Sequence, residues 1–307
     1  MKRETLPYID EETWLSYRVD DITSTMMPAL FGFSPYTTLF ELHHTKRGNY
    51  AVDFPRNDRM RQGSKMEDYI AAEYAEQQGV EVKPYKDYIR LPEHRIGSSF
   101  DYITADESKL IEIKAVDWLV WKDWDEGELP PHIEIQVQHE MMVSGVHKCD
   151  VVVMTGIYDM HIYEREADPE MFAAMKQAVA KFWHDVENAI EPPADYERDG
   201  DVISELFNPK GELQDFTDNE DFNRLASEIT YNKALEKEHK TKATAAKNEL
   251  FHLLGDSAGG FTKNYRIKAG RTKDTAGKVI TQEMVGTVTG ARKGYRRCDI
   301  TELNKGE

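Results

Sequence analysis

Asp101, Glu112 and Lys114 are the residues whose types and spacing point most directly to chemistry. Glu112 and Lys114 lie two apart in the run Leu110-Ile111-Glu112-Ile113-Lys114-Ala115-Val116, whose alternation reads as a strand. Side chains two apart on a strand share a face. Glu112 and Lys114 therefore project together, while Ile111, Ile113 and Ala115 turn the other way into a core. Asp101 falls in the preceding alternating stretch, 96–104, and the short link 105–108 predicts an antiparallel hairpin that sets Asp101 opposite Glu112. Two carboxylates and an ammonium on one sheet face suit phosphodiester hydrolysis. The carboxylates are hard oxygen ligands for Mg²⁺, the ion activates water and stabilises charge on the phosphate, and the lysine orients that water or lowers its pKa. A Glu-x-Lys pair alone is more often the solvated face of an amphipathic sheet. The upstream Asp, and a Glu in the helix before the strands, favour the chemical reading.

The elements that must position these groups follow from periodicity. Residues 14–50 read as helical with turns. One helix runs from Asp21-Ile22-Thr23-Ser24 toward Leu30, broken by Gly32-Phe33-Ser34-Pro35, and a second runs from Thr37 to Lys46. Residues 64–78 form a helix with Ser64 as N-cap and Gly79 as stop, carrying Met66, Tyr69, Ile70 and Tyr74 on one stripe. Stretches 80–91, 96–104 and 109–116 read as three strands, followed by a helix over 133–145. Residues 149–155 are a continuous apolar run typical of a strand buried on both faces, and 160–166 alternates beside it. Asp168-Pro169 caps a helix with Phe172, Met175, Val179, Phe182 and Val186 on its apolar face. The fold class is α/β, a mixed central sheet flanked by helices, over residues 1–195. Pro192-Pro193 opens an acidic linker, 196–220, and 221–307 is an extension made of a charged helix to Leu254 and a basic, β-rich tail. That tail carries Lys263, Arg266, Lys268, Arg271, Lys273, Lys278, Arg292, Lys293, Arg296 and Arg297.

Composition narrows the function classes. With 40% hydrophobic and 31% charged residues, the 307-residue chain reads as an ordinary globular protein. It has no apolar run near the ~20 residues of a membrane helix, and its first residues lack the apolar core of a secretory signal. Cys149 and Cys298 are the only cysteines, which argues against a disulfide framework, a zinc site or an iron–sulfur cluster and favours a reducing cytoplasm. The net charge of −17 opposes general coating of DNA. Any DNA path must be a local basic surface, helped by a bound cation.

Asp101 followed by Ile111-Glu112-Ile113-Lys114 resembles the PD-(D/E)XK nuclease motif. Three further stretches narrow the resemblance to the phage-type alkaline exonucleases, the lambda-exonuclease or YqaJ-like viral recombinase family. These are SYRVDDITST with FGFSPYTTLFELHHTKRG after it, GSKMEDYIAAEY, and IEIQVQHEMMVSG, in the right order over roughly residues 14–190. The resemblance implies a restriction-endonuclease-like core in which Asp101, Glu112 and the Ile113 carbonyl ligate Mg²⁺ (Mn²⁺ as substitute). Glu67 would complete the acidic cluster, Lys114 would serve the attacking water, and Gln136 would position Lys114 or the substrate. Arg18 with Thr25, and Ser24 as the neighbouring hydroxyl, would bind the 5′-phosphate of a DNA end. The implied activity is 5′→3′ digestion of one strand of linear double-stranded DNA, leaving 3′ overhangs for recombination. The implied partners are DNA ends, a phage-type single-strand-annealing protein and two further copies in a trimeric ring, in the cytoplasm of a bacterial host. The sequence departs from the pattern at Phe100 and Tyr102, where Pro and Gly flank the Asp, and at Ala115-Val116, where Cys-Pro often follows the Lys.

Several residues carry a second reading. Glu67 could be an ordinary helix carboxylate, Gln136 could satisfy core backbone groups, and Arg18 and Thr25 could form a cap and a salt bridge. Trp118, Trp121 and Trp124 could stack on bases or pack a loop over the sheet. His139-Glu140 begins like a zinc-protease helix but lacks the second His. Competing functions are a RecB-like or restriction-type nuclease of other polarity or endonucleolytic action, an inactive DNA-end-binding scaffold that recruits an annealing protein, and a purely structural phage protein.

Overall fold

The apolar run 149–155 is buried along its whole length and forms an interior strand of a five-stranded sheet. In the computed structural model, which describes residues 2–51, 58–124, 128–156, 159–207, 211 and 213–270, two units are distinguished, Met1–Phe207 and Asn208–Glu307. The first unit runs β1 (Glu4–Leu6), α1 (Glu11–Arg18), α2 (Met27–Leu30), α3 (Leu39–Lys46) and α4 (Asp58–Gln78). Strands β2 (Val82–Pro84), β3 (Tyr88–Leu91), β4 (Ile96–Ser98), β5 (Tyr102–Thr104) and β6 (Leu110–Val116) follow. Then come α5 (Trp118–Trp121), α6 (Pro131–Ser144), β7 (Lys148–Thr155), β8 (Asp159–Glu166), α7 (Pro169–Glu187) and α8 (Gly200–Leu206). The second unit contains α9 (Glu220–Leu254) and an antiparallel hairpin of β9 (Gly259–Phe261) and β10 (Arg266–Lys268). Lys263, Arg266 and Lys268 fall in or beside that hairpin, whereas Arg271, Lys273, Lys278, Arg292, Lys293, Arg296 and Arg297 lie outside the described residues.

The sheet order is β2-β5-β6-β7-β8, with β6 and β7 parallel and the other pairs antiparallel, so the sheet is mixed as expected. Parallel neighbours need a crossover, and this one carries α5 and α6. The two sheet faces have separate apolar clusters. Ile111, Ile113, Val152 and Met154 pack with Tyr102 against Ile70, Ala71 and Tyr74 of α4. Leu110, Ile103, Val151 and Val153 belong to the larger cluster with Ile133, Val137 and Met141 of α6 and Met175 and Val179 of α7. Helix α6 ends at Gly145, whose φ of 83° favours glycine. The Arg3 guanidinium also passes 2.6 Å from where a Cβ would stand there, donating to the carbonyls of Val143 and Met142.

Five expectations change. Residues 21–24 are not the start of a helix: Ile22 pairs with Ile96, and its N–H donates to the Arg95 carbonyl at 2.9 Å. Tertiary pairing thus overrides the local helix signal, and only Met27–Leu30 is helical. Helix α4 starts six residues before Ser64, so Ser64 lies inside it, and the ~1 kcal/mol cost of Gly63 in a helix does not stop it. On this helix Tyr69 is 46% exposed, and Ala71 takes its place in the core. The stretches 80–91 and 96–104 each break in two. β1, β3 and β4 form a separate three-stranded sheet, while β2 and β5 join the main one. Ala115 is exposed at the end of β6.

The stretch read as a linker is also partly folded. Asp199 is 1% exposed, accepts from the Thr38 hydroxyl, and accepts from the Asp195 N–H at 2.7 Å. The adjacent Arg198 donates to the Ser34 carbonyl at 2.9 Å, and Val202 of α8 is buried. Asp199→Ala would leave the Thr38 hydroxyl and the Asp195 N–H with a lost acceptor, at a cost of about 1–3 kcal/mol. Thermal unfolding followed by circular dichroism should show a midpoint lowered by several degrees. An unchanged midpoint would mean this segment contributes nothing to the first unit.

Candidate active site

Strand β6 delivers Glu112 and Lys114 to the face covered by α6. The Lys114 Nζ donates to Glu112 Oε1 at 2.7 Å and to Gln136 Oε1 at 3.1 Å. The Gln136 amide Nε2 donates to Glu112 Oε1 at 2.7 Å and to Glu140 Oε1 at 3.0 Å. Gln136 and Glu140 are four apart on α6 and so share one side of it. The hairpin register pairs Tyr102 with Ile111, which brings Asp101 to the level of Glu112. Asp101 Oδ2 accepts the Ile113 N–H at 2.8 Å, and its carbonyl accepts from the Tyr85 N–H at 3.0 Å.

The electrostatics are those of a crowded acidic site around one cation. Desolvation, and then the Glu112 charge, raise the Asp101 carboxyl well above its ordinary range; Lys114 and the Ile113 N–H oppose this, and Glu67 adds a smaller push upward. Burial, and then Glu112, raise the Glu140 carboxyl in the same way. For Lys114, burial alone would lower its pKa, but the charges of Glu112 and Asp101 outweigh it and hold the ammonium form. Glu112 is 5% exposed and the Lys114 side chain 25%, so the cluster opens to solvent on the lysine side.

The donor set suits a hard divalent cation. Asp101 and Glu112 are oxygen ligands whose mutual repulsion a cation would relieve, and the Ile113 carbonyl lies between Glu112 and Lys114 in the chain. Among the described residues no three His, Cys, Asp or Glu side chains are close enough to enclose an ion by themselves. An ion here would rest on two carboxylates, the Ile113 carbonyl and water, with Glu67 reaching it through water.

The phosphate-binding candidates lie apart from this cluster but are linked to it. Arg18, at the end of α1, stacks on Trp14 at 4.3 Å, and the Trp14 indole N–H donates to Ser99 Oγ at 2.8 Å, two residues before Asp101. Burial lowers the Arg18 pKa. Lys46 caps the segment after α1, donating to the carbonyls of Arg18, Val19 and Asp21 at 2.7–2.9 Å. Burial brings its pKa down to about 8. Thr25 is exposed, with its hydroxyl 3.3 Å from that of Thr23, whereas Ser24 is buried. The three tryptophans divide. Trp121 stacks on His161 at 4.1 Å and donates to the Tyr163 hydroxyl, Trp124 packs on the core beside it, and Trp118 is 53% exposed. His139 is fully buried, with its ring nitrogen 3.2 Å from the Ile22 carbonyl and its pKa pushed down to about 3 by burial.

Comparison with known proteins bears on this arrangement. The profile of the YqaJ-like viral recombinase domain matches residues 13–147, a span that holds Arg18, Glu67, Asp101, Glu112, Lys114 and Gln136. The Bacillus subtilis (strain 168) protein YqaJ is 26% identical over 268 residues, covering 84% of this chain and 82% of that protein. The fold is similar to that of LHK-Exo solved with dAMP, with a TM-score of 0.50 at 23% identity over 59% of this chain and 94% of that one. A second structure of LHK-Exo, an alkaline exonuclease from Laribacter hongkongensis, gives 0.49 over the same shares. The mixed sheet flanked by helices is thus an arrangement this chain shares with LHK-Exo.

Glu140 is a member of this cluster that sequence alone does not single out. Its signal was the four-residue spacing from Gln136, masked by the zinc-protease look of His139-Glu140. Because burial and Glu112 raise its folded pKa above the ordinary 4.5, the penalty for keeping it is absent at low pH and grows as pH rises from 4.5 toward the folded value. Glu140→Gln keeps an acceptor for Gln136 and removes the charge. In a chelator-containing buffer its melting midpoint should exceed the parent's by more at pH 8 than at pH 5. An advantage independent of pH would contradict this ionisation.

Proposed function

We propose that this chain is a Mg²⁺-dependent deoxyribonuclease that digests one strand of linear double-stranded DNA from 5′ to 3′ and leaves 3′ overhangs for recombination. The observation that carries the reading is the convergence of Asp101, Glu112, Lys114 and Gln136 on one sheet face under α6. The match of residues 13–147 to the YqaJ-like viral recombinase domain and the fold shared with LHK-Exo support it.

The proposed role of each group is compatible with its surroundings. Asp101, Glu112 and the Ile113 carbonyl would hold Mg²⁺, which would supply an activated water and offset charge on the phosphate. Lys114 is kept protonated by its acidic neighbours, so it acts as a hydrogen-bond donor and positive charge toward water or a phosphate oxygen rather than as a base. Gln136 holds both Lys114 and Glu112 and fixes their separation. Arg18 and Thr25 receive the 5′-phosphate of the DNA end. A trimeric ring with a basic lumen would reconcile a net charge of −17 with DNA binding, and an annealing protein would take up the overhang.

The test uses linear duplexes with and without a 5′-phosphate beside a closed circle, in Mg²⁺. Linear DNA should disappear, faster with the phosphate, while the circle persists. Lys114→Ala and Glu112→Ala should each lower the rate by about 10²-fold or more. Cutting of the circle would indicate endonucleolytic action, and binding without any product would indicate a scaffold. Full activity in both variants would place the chemistry elsewhere.

A further inference from the structure

Tyr36 is 82% exposed, yet the loop that presents it is braced on every side. Ser34 is buried, and its hydroxyl accepts from the N–H groups of Tyr36 and Thr37 at 3.3 and 3.1 Å. The Ser34 carbonyl accepts from Arg198, and Thr38 caps α3 while donating to buried Asp199. A surface tyrosine normally gains rotamer freedom from a mobile loop, whereas this one is held in place with its ring uncovered. Among the described residues its ring meets one other ring, edge-on, that of His132, at 6.2 Å between centroids and 86° between planes.

That contact places Tyr36 beside the candidate active site. His132 is half-buried in the first turn of α6, four residues and so about 6 Å along the helix from Gln136, on the same side. Gln136 in turn bonds Lys114. His132 also responds to that ammonium: burial, and then the Lys114 charge, lower its pKa and favour the neutral ring. The imidazole, and the phenol ring that meets it, thus lie about one turn of α6 from the Gln136 side chain that bonds Lys114.

We propose that the Tyr36 ring, set by His132 and the Ser34 turn, is a stacking platform for a base of the DNA strand whose backbone lies at Lys114. This assignment rests on the nuclease reading and names a specific contact for it. Every base offers a π-face, so stacking would hold the strand without selecting sequence, as processive digestion requires. A neutral platform also avoids adding positive charge beside Lys114, so strand retention here would depend weakly on salt.

The test measures binding of a fluorescent 5′-phosphorylated duplex with a frayed end, by anisotropy, to the full chain with Ca²⁺ in place of Mg²⁺, so that the strand is held without being cut. Adding Tyr36→Ala should weaken binding roughly 5- to 100-fold, and Tyr36→Phe should restore it, because stacking needs the ring and not the hydroxyl. The melting temperature should be the same in all three proteins, since the ring is exposed. Equal affinity for the parent and Tyr36→Ala overturns the platform and leaves the nuclease reading standing. A loss in Tyr36→Phe as large as in Tyr36→Ala overturns stacking in favour of a hydroxyl contact. No DNA binding by the parent overturns both.

Discussion

Glu112, Glu140 and Asp101 crowd around one ammonium in a largely enclosed space, and the rest of the first unit can be understood as the means of tolerating that. Like charges removed from water repel strongly, and each would be neutralised by a proton if nothing opposed it. Lys114 offsets part of the repulsion, and the Gln136 amide bridges two of the carboxylates through one nitrogen. Such a network keeps its geometry only if its supports are stiff. The sheet supplies stiffness from below and α6 from above. Lys109, which precedes β6, is clamped to Asp150 of β7, itself hydrogen-bonded by Tyr74 of α4.

Much of the site was legible because strand periodicity is a local property. Alternation in 110–116 assigned Glu112 and Lys114 to one face and Ile111 and Ile113 to the other, and the two apolar clusters bear that out. The hairpin to Asp101 was legible from the shortness of its link. Ala115 broke the pattern because the strand leaves the cover of α4 there, and alternation says nothing about where cover ends. Glu140 was illegible for another reason. A buried acid has no local signature, and its meaning depends on which helix face meets the sheet.

The N-terminal stretch shows the limit more sharply. Asp21-Ile22-Thr23-Ser24 has the composition of a helix start, yet Ile22 bridges to Ile96, 74 positions on, and Asp21 is buried between Arg90 and Tyr88. Gly97 makes room for this, because a Cβ there would stand 2.1 Å from the Tyr88 hydroxyl. The acidic stretch beyond Pro193 likewise had the composition of a linker, but Asp199 closes a buried contact with Thr38, 161 positions earlier. Long-range pairing decided both segments, and composition carries no record of it.

The parallel ladder between β6 and β7 runs unbroken through seven pairs, from Leu110 with Cys149 to Val116 with Thr155. It gives the strand of Glu112 and Lys114 the equivalent of a reading frame. A substitution in β6 alters one position, whereas an inserted or deleted residue upstream of Glu112 within the strand would invert all that follow. Ile111 or Ile113 would then point beneath Gln136, and the carboxylate and ammonium would be driven into the apolar layer under α4. The sheet itself therefore constrains length more strictly than chemistry along these seven residues, while the link at 105–108 lies outside the ladder.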